Sequence, residues 1–423
     1  MKIAVQGLWH LGSVTAACLA KLGHDVVGID PDAKVVADLS NAKAPLFEPG
    51  LDDLLAEGLA AQRLAFSTDP KAVKGSAVVW VTFDTPVDDD DNADVDYVVR
   101  QIEGVLPHMD DKSVLLISSQ LSAGTATRLE GMLPKGKTIG LAVSPENLRL
   151  GKAIDVFMQS ERIIVGTQAP WVKDALEPMI AGVCPNILWM SCASAEMVKH
   201  ALNSFLAVSV TFANEVAVLC ERIGADAADV ERALKAEPRI GPKAYIRPGS
   251  AFAGGTLARD IAFLGQLADQ FGTGAAMLKS VPGSNNAHRQ WPIKTLEHLW
   301  GDLAGRRVAI LGLAYKPGTD AVRRSLGVEL ARGLIAAKAR PVAYDPKVST
   351  SPVSGLILAS SLADALQGAE AAVVATAWPE FKDLSEGMLL AGMETPLLLD
   401  PDRHLGHLAS AKSIRYVTIG TPA

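Results

Sequence analysis

Val5-Gln6-Gly7-Leu8-Trp9-His10-Leu11-Gly12 stands between a short apolar run, Ile3–Val5, and a helical pattern. A strand that passes through a glycine turn into a helix is the first half of a βαβ unit, and the backbone N–H groups at such a helix start can hold a phosphate. Gly7 is placed for the tight turn and Gly12 for close packing of helix on strand. Asp30 ends the next apolar run, at roughly the ~20-residue separation where a carboxylate accepts hydrogen bonds from a ribose. An acid there favours NAD over NADP, because it repels a 2′-phosphate. Trp9 occupies the place of the middle glycine, so either the loop is displaced or the indole turns outward.

The same alternation continues along the chain. Asp25–Ile29, Val78–Thr82, Val114–Ser118 and Arg162–Gly166 are short apolar runs separated by longer helical patterns, the signature of a parallel sheet covered by helices. A second set opens at Arg307–Leu311 and continues with Val342–Tyr344, Ala371–Ala375 and Leu397–Leu399. Between the sets, from Ala193 to Arg222, runs a helical pattern without glycine or proline. Its Leu202, Phe205, Val208, Phe212, Val216 and Leu219 step by three and four and predict one buried face. Lys199 and Asn203, four apart, share the opposite side. The fold expected is α/β: two doubly wound Rossmann-like domains joined by a long central helix, a natural hinge or dimer element.

A chain of 423 residues is long for one domain, which suits this division. Its net charge of −7 gives no electrostatic footprint for nucleic acid or an acidic membrane. No run approaches ~20 uninterrupted apolar residues, and the first residues lack the pattern of a signal peptide, so no membrane span is expected. Cys18, Cys184, Cys192 and Cys220 are scattered, without a CxxC pair, and read as reduced core thiols of a cytoplasmic protein with no metal site. Asp88 to Asp91, followed by Asn92 and Asp94, read as a solvated loop and lack the spacing of a calcium loop.

Further segments carry a resemblance. They are Glu48-Pro49-Gly50-Leu51; Thr85-Pro86; Ser144-Pro145-Glu146-Asn147-Leu148-Arg149; Lys199 and Asn203, followed by Asn214-Glu215; Pro238 to Gly241; the loop from Pro248 to Asp260; Gly312 to Ser325; Tyr344–Pro346; and Thr376–Phe381. In this order they resemble the motifs of the UDP-glucose/GDP-mannose dehydrogenase family from end to end. The resemblance implies an NAD-binding Rossmann-like domain over 1–192, a central helical dimerisation domain over 193–298 and a C-terminal nucleotide-sugar (UDP)-binding domain over 299–423. Family members oxidise the C6 alcohol of a nucleotide sugar to a carboxylate by two hydride transfers to NAD. A cysteine traps the intermediate aldehyde, and the resulting thioester is hydrolysed.

By the family pattern, Gly7, Gly12, Asp30, Lys34, Thr85 and Gln120 lie along NAD, and Arg323 reaches it from the C-terminal domain. Lys199 stabilises the oxyanion growing at C6, Asn203 and Asp260 position substrate and a catalytic water, and Glu146 is a polar partner near C6. Tyr245, Phe252 and Gly254 lie along the diphosphate and sugar, Lys316 meets the substrate, and Arg239 crosses a homodimer interface. Taken singly, such residues are ordinarily solvated charges, caps or core; their joint placement in the motifs gives them these roles.

Departures from the pattern cluster in the chemistry. Thr256, four residues before Asp260, stands where the family has its nucleophilic cysteine. Gln120 replaces a threonine, Leu150 a glutamate, Ala253 a glycine and Arg259 a lysine. A threonine hydroxyl is a poor trap for an aldehyde. The reading that follows is an NAD-dependent oxidoreductase acting on a UDP-glucose-like nucleotide sugar without the thioester route. The alternatives are a redox-neutral epimerase that keeps NAD bound, and a non-catalytic nucleotide-sugar-binding protein.

Overall fold

The computed structural model describes residues 1–86, 93–146 and 148–422, so the acidic run Asp88–Asp91 with Asn92, and Asn147, lie outside the described residues. The chain divides into two compact units, Met1–His200 and Ala201–Ala423.

Apolar runs of four or five residues become strands in the first unit because both faces of their sheet are covered. The strands are β1 (Lys2–Gln6), β2 (Asp25–Ile29), β3 (Leu64–Ser67), β4 (Val78–Val81), β5 (Val114–Ile117), β6 (Gly140–Val143), β7 (Ile163–Gly166) and β8 (Ile187–Met190), in spatial order 3-2-1-4-5-6-7-8. Alternation along each strand sends Ile3, Val5, Val78, Val114 and Leu116 into one core layer, and Ala4, Val79, Val81, Leu115 and Ile117 into the other. Helix α1 (His10–Lys21) lies on the first layer through Gly12, Ala16, Ala17 and Ala20, whose small size allows a close approach. Pairing is parallel except at β6 and β7, which are antiparallel, so β7 and β8 run against the other six.

The second unit is built on the same plan. Helices α2 (Thr125–Glu130) in the first unit and α3 (Cys192–Ile223), which contributes residues to both, precede α4 (Thr256–Gln270), α5 (Ala276–Arg289) and α6 (Trp291–Trp300). Strands β9 (Arg307–Leu311), β10 (Arg340–Tyr344), β11 (Ile357–Leu358), β12 (Ala371–Val374), β13 (Leu397–Leu399) and β14 (Arg415–Val417) follow, with α7 (Leu326–Ala336) after β9. All are parallel, in order 11-10-9-12-13-14. This repeats the order of the first six strands of the other sheet and is that of a doubly wound nucleotide-binding fold.

The expected strands form, within a residue or two at their ends. Five more were not expected: β3, β6, β8, β11 and β14. Four of them are edge strands, half exposed, and two of these, β11 and β14, are only two and three residues long. The fifth, Gly140–Val143, is buried but only four residues long and opens on a glycine.

The central helix forms as expected, yet its apolar stripe is only partly covered: Leu202, Val208 and Val216 are half-buried. Phe205, Phe212 and Leu219 are 68%, 49% and 64% exposed, whereas Asn203, Ser204, Ala207, Thr211, Asn214 and Ala217 are buried. Apolar periodicity marks a stripe that gains by leaving water; it does not name what covers the stripe. The chain's own packing takes the opposite side, where small residues permit close contact and polar ones find partners. By length and composition this helix is apolar enough to cross a membrane. Its buried polar side chains, bonded to the protein's own groups, mark it instead as a core helix.

Candidate active site

In the first unit the glycine turn is held rigidly. The Gly7 N–H donates to Ile29 O at 2.8 Å, and φ of +93° places Gly7 in the left-handed region, where a Cβ would also lie 2.7 Å from Phe83 N. A Cβ on Gly12 would lie 1.7 Å from Gly7 O, so α1 can rest on the turn only with glycine there. Thr82 Oγ1 donates to the same Gly7 carbonyl at 2.7 Å. Trp9 has φ −71° and ψ −153°, which any L-residue adopts, and is 45% exposed. Of the two outcomes expected for it, the indole turns outward and the turn keeps its shape.

Asp30, nearly buried, ends β2, its Oδ2 accepting from Leu8 N at 2.7 Å and its Oδ1 from Asp32 N at 2.9 Å. A carboxylate accepts about four hydrogen bonds, so capacity remains for a ribose diol. Lys34 is exposed in the first turn of the helix Ala33–Ser40. Glu48 binds His10 Nε2 at 2.9 Å, Gly151 N at 2.8 Å and Ala153 N at 2.9 Å, tying the start of α1 to the chain beyond Glu146.

Two loops meet the first turns of α3. Lys199 Nζ donates to the Glu146 carbonyl at 2.6 Å, with both residues half-buried. Thr85 Oγ1 donates to Gln120 O at 2.6 Å. The segment after Gln120 is clamped by residues that the sequence reading missed. Glu196 accepts from Gly124 N and Ala126 N, both at 2.7 Å, and His200 Nε2 lies 3.2 Å from Leu121 O. A carboxylate at the start of α2 matches the partial positive charge there. The available signal was positional: Glu196 and His200 stand three before and one after Lys199 on one helix.

In the second unit, Asn203 Nδ2 donates to Oδ2 of the fully buried Asp260. A carboxylate so enclosed needs partners to keep its charge, and Arg259 Nε stands 4.0 Å from its other oxygen. Thr256 is exposed as the first residue of α4, one turn before Asp260 on the same side. Phe252 is turned inward, its ring packed with Ala207, Ile261 and Val281, so the loop around it, and not the ring, is what it offers to a ligand. Gly254, at φ +71°, lies against Tyr315, and Lys316 Nζ lies 5.5 Å from the centre of the Tyr315 ring. Tyr245 is exposed, Arg239 extends into solvent beside Glu237 (2.7 Å), and Arg323 is exposed in the loop before α7.

The second Rossmann turn is closed by the protein itself. Gly312 N donates to Tyr344 O at 2.8 Å, as Gly7 does to Ile29. The counterpart of Asp30, Asp345, takes hydrogen bonds from the backbone of Leu313, Ala314, Lys347 and Val348 and from Trp378 Nε1. Burial opposes its charge, but these backbone donors outweigh it and hold the carboxyl below the usual range. Asp345 is spent on the fold, whereas Asp30 keeps acceptor capacity.

Comparison with known proteins decides the family. Models of the UDP-glucose/GDP-mannose dehydrogenase family match the chain over residues 1–181 (NAD binding domain), 193–287 (central domain) and 309–407 (UDP binding domain). The chain belongs to this family. It is similar to the UDP-glucose 6-dehydrogenase of Rhizobium meliloti (strain 1021), 32% identical with all of both chains covered. It also resembles UDP-glucose 6-dehydrogenase AglM of Haloferax volcanii, 33% identical over 91% of this chain and 93% of that one. Among solved structures, a UDP-glucose dehydrogenase from Pyrobaculum islandicum superposes with a TM-score of 0.86 at 29% identity, covering 100% of this chain and 98% of that one. The class is therefore that of the NAD-dependent nucleotide-sugar dehydrogenases, and the Gly7–Gly12 turn with Asp30 fits the cofactor.

Proposed function

We propose that the protein oxidises the C6 alcohol of a UDP-glucose-like nucleotide sugar and does so without a cysteine thioester. The observation that carries this is Thr256, exposed at the start of α4 one turn before the buried Asn203–Asp260 pair. By the family pattern the aldehyde trap belongs there, and no cysteine occurs between Pro248 and Asp260. The four cysteines are all buried, and burial pushes the Cys18 and Cys192 thiols up to about 12 and about 11, far from reactive thiolates.

The cofactor, when bound, supplies the hydride acceptor. Lys199 supplies a fixed cation to the C6 oxygen as negative charge grows on it; its ammonium is anchored by the Glu146 carbonyl. Asn203 and Asp260 orient the sugar, and Glu146 is a polar neighbour. Tyr245, Gly254 and Lys316 face the diphosphate and sugar, with Arg239 contributed across a homodimer. The assay is a panel of nucleotide sugars incubated with NAD, with products identified by mass; no NADH with any of them overturns the proposal.

NAD is expected to bind more tightly than NADP, because Asp30 keeps acceptors for a ribose diol. Asp30→Ala should weaken NAD by roughly 1.5–3 kcal/mol. Titration of both cofactors by fluorescence checks this, and equal or tighter NADP binding contradicts the role.

A homodimer through α3 is the reading that covers Phe205, Phe212 and Leu219. Each of these side chains, buried, contributes roughly 1.5–3 kcal/mol, and two-fold symmetry counts it twice. Light scattering should find a dimer at micromolar concentration and a monomer for Phe205→Asp. A monomeric wild type rules the interface out.

A further inference from the structure

The segment Gly249 to Phe252 is neither helix nor strand, yet its backbone is held by side chains from three places in the second unit. Gly249 donates to Asn214 Oδ1 at 2.9 Å, and its carbonyl lies 2.9 Å from His288 Nε2. Ser250 N and Oγ each donate to Asp402 at 2.7 Å. Phe252 is bonded twice by one residue: its N–H donates to Asn285 Oδ1 at 3.0 Å, and its carbonyl accepts from Asn285 Nδ2 at 3.1 Å. Arg289 adds a second bond to the same carbonyl at 3.2 Å.

A side-chain amide that closes such a pair does for one residue what a neighbouring strand does along a ladder. Asn285 is 3% exposed and Phe252 8%, so water cannot replace these bonds. Four residues downstream of Phe252 is Thr256, and eight downstream is Asp260. The register of Phe252 therefore sets where α4 begins and which way its first turn faces.

We propose that Asn285 is a positioning residue for the nucleotide sugar, acting through the backbone of Phe252 on the loop that carries Gly254 and Thr256. This rests on the substrate reading given under Proposed function. Its effect belongs to the sugar side alone, because the Gly7–Gly12 turn and Asp30 lie in the other unit.

The test uses the full-length protein and UDP-glucose as probe. Asn285→Ala leaves the Phe252 N–H unsatisfied and its carbonyl with Arg289 alone, and Asn285→Ser can replace only one of the two Asn285 bonds. UDP-glucose binding by calorimetry should weaken roughly 10- to 100-fold in the alanine variant and less in the serine variant. NAD binding should stay within about two-fold, and KM for the sugar should rise more than kcat falls. Hydrogen exchange on the wild type should show the Gly249 and Phe252 amides protected without any ligand. UDP-glucose binding unchanged in folded variants, NAD binding weakened equally, or fast exchange of those amides in the wild type would each overturn the role of Asn285. Failure of the wild type to bind UDP-glucose is distinguishable from these and sinks the substrate reading, and this role with it.

Discussion

Incubated with NAD and UDP-glucose, the protein should form at most one NADH per sugar consumed and release no glucuronate at an enzymatic rate. The reason lies in what a second hydride transfer needs. An aldehyde gives up hydride readily only after a nucleophile has added to its carbonyl. A thiolate does this well, and the thioester it leaves is then hydrolysed. Thr256 offers a hydroxyl, far less acidic than a thiol, and the buried cysteines cannot substitute. If a good thiol contributes three to five orders of magnitude, its absence raises the second barrier by roughly 4–7 kcal/mol. Thr256→Cys would place a thiol at the first residue of α4, where a helix start lowers thiol pKa. Recovery should still be partial, because Gln120 and Leu150 leave the activation of water unrepaired and such groups act as a unit. Counting NADH against sugar and identifying the product by mass settles the matter. Two NADH with rapid release of glucuronate in the unmutated protein defeats this view of the pocket.

Replacement of Lys199 by methionine should lower kcat by roughly 10²- to 10³-fold, the loss typical of a preorganised charge beside a developing oxyanion. Lys199 sits on a long helix, and its ammonium is held by the Glu146 carbonyl at 2.6 Å, so little reorganisation is needed when negative charge grows. The same bond also fastens the loop after β6. Some loss of stability is therefore expected, about 1.5–3 kcal/mol for a charged hydrogen bond. Single-turnover NADH formation with saturating sugar, alongside a melting curve, separates the two effects. A folded variant that keeps more than a tenth of the wild-type rate contradicts the electrostatic role. Arginine should not rescue it, because its planar fork cannot take the place of a compact ammonium at a backbone carbonyl.

Much of the architecture was legible in the order of residues. Ile3–Val5, Val26–Ile29 and Val308–Leu311 are apolar on successive residues and bounded by turns, as strands covered on both faces require. Gly7 and Gly12 stand where the turn admits no Cβ, so these positions can be read from covalent geometry alone. The long helix was equally clear, since thirty residues from Ala193 to Arg222 contain no helix breaker. Local constraints of this kind are written in a few neighbouring residues and survive any tertiary context.

Tertiary structure decided the rest. Periodicity marked Phe205, Phe212 and Leu219 as a stripe seeking cover, but only packing showed that the chain buries Asn203, Ala207 and Asn214 instead. The Phe252 ring was expected along a ligand and lies in the core. Asp30 and Asp345 end equivalent strands with similar neighbours, and only the count of donors around each separates a carboxylate with spare capacity from one spent on the fold. Glu196, His200 and Asn285 brace the loops around the site from 33 to 79 residues away in sequence. Periods and turns are local properties of the chain; a hydrogen bond between distant residues exists only once folding has brought its two ends together.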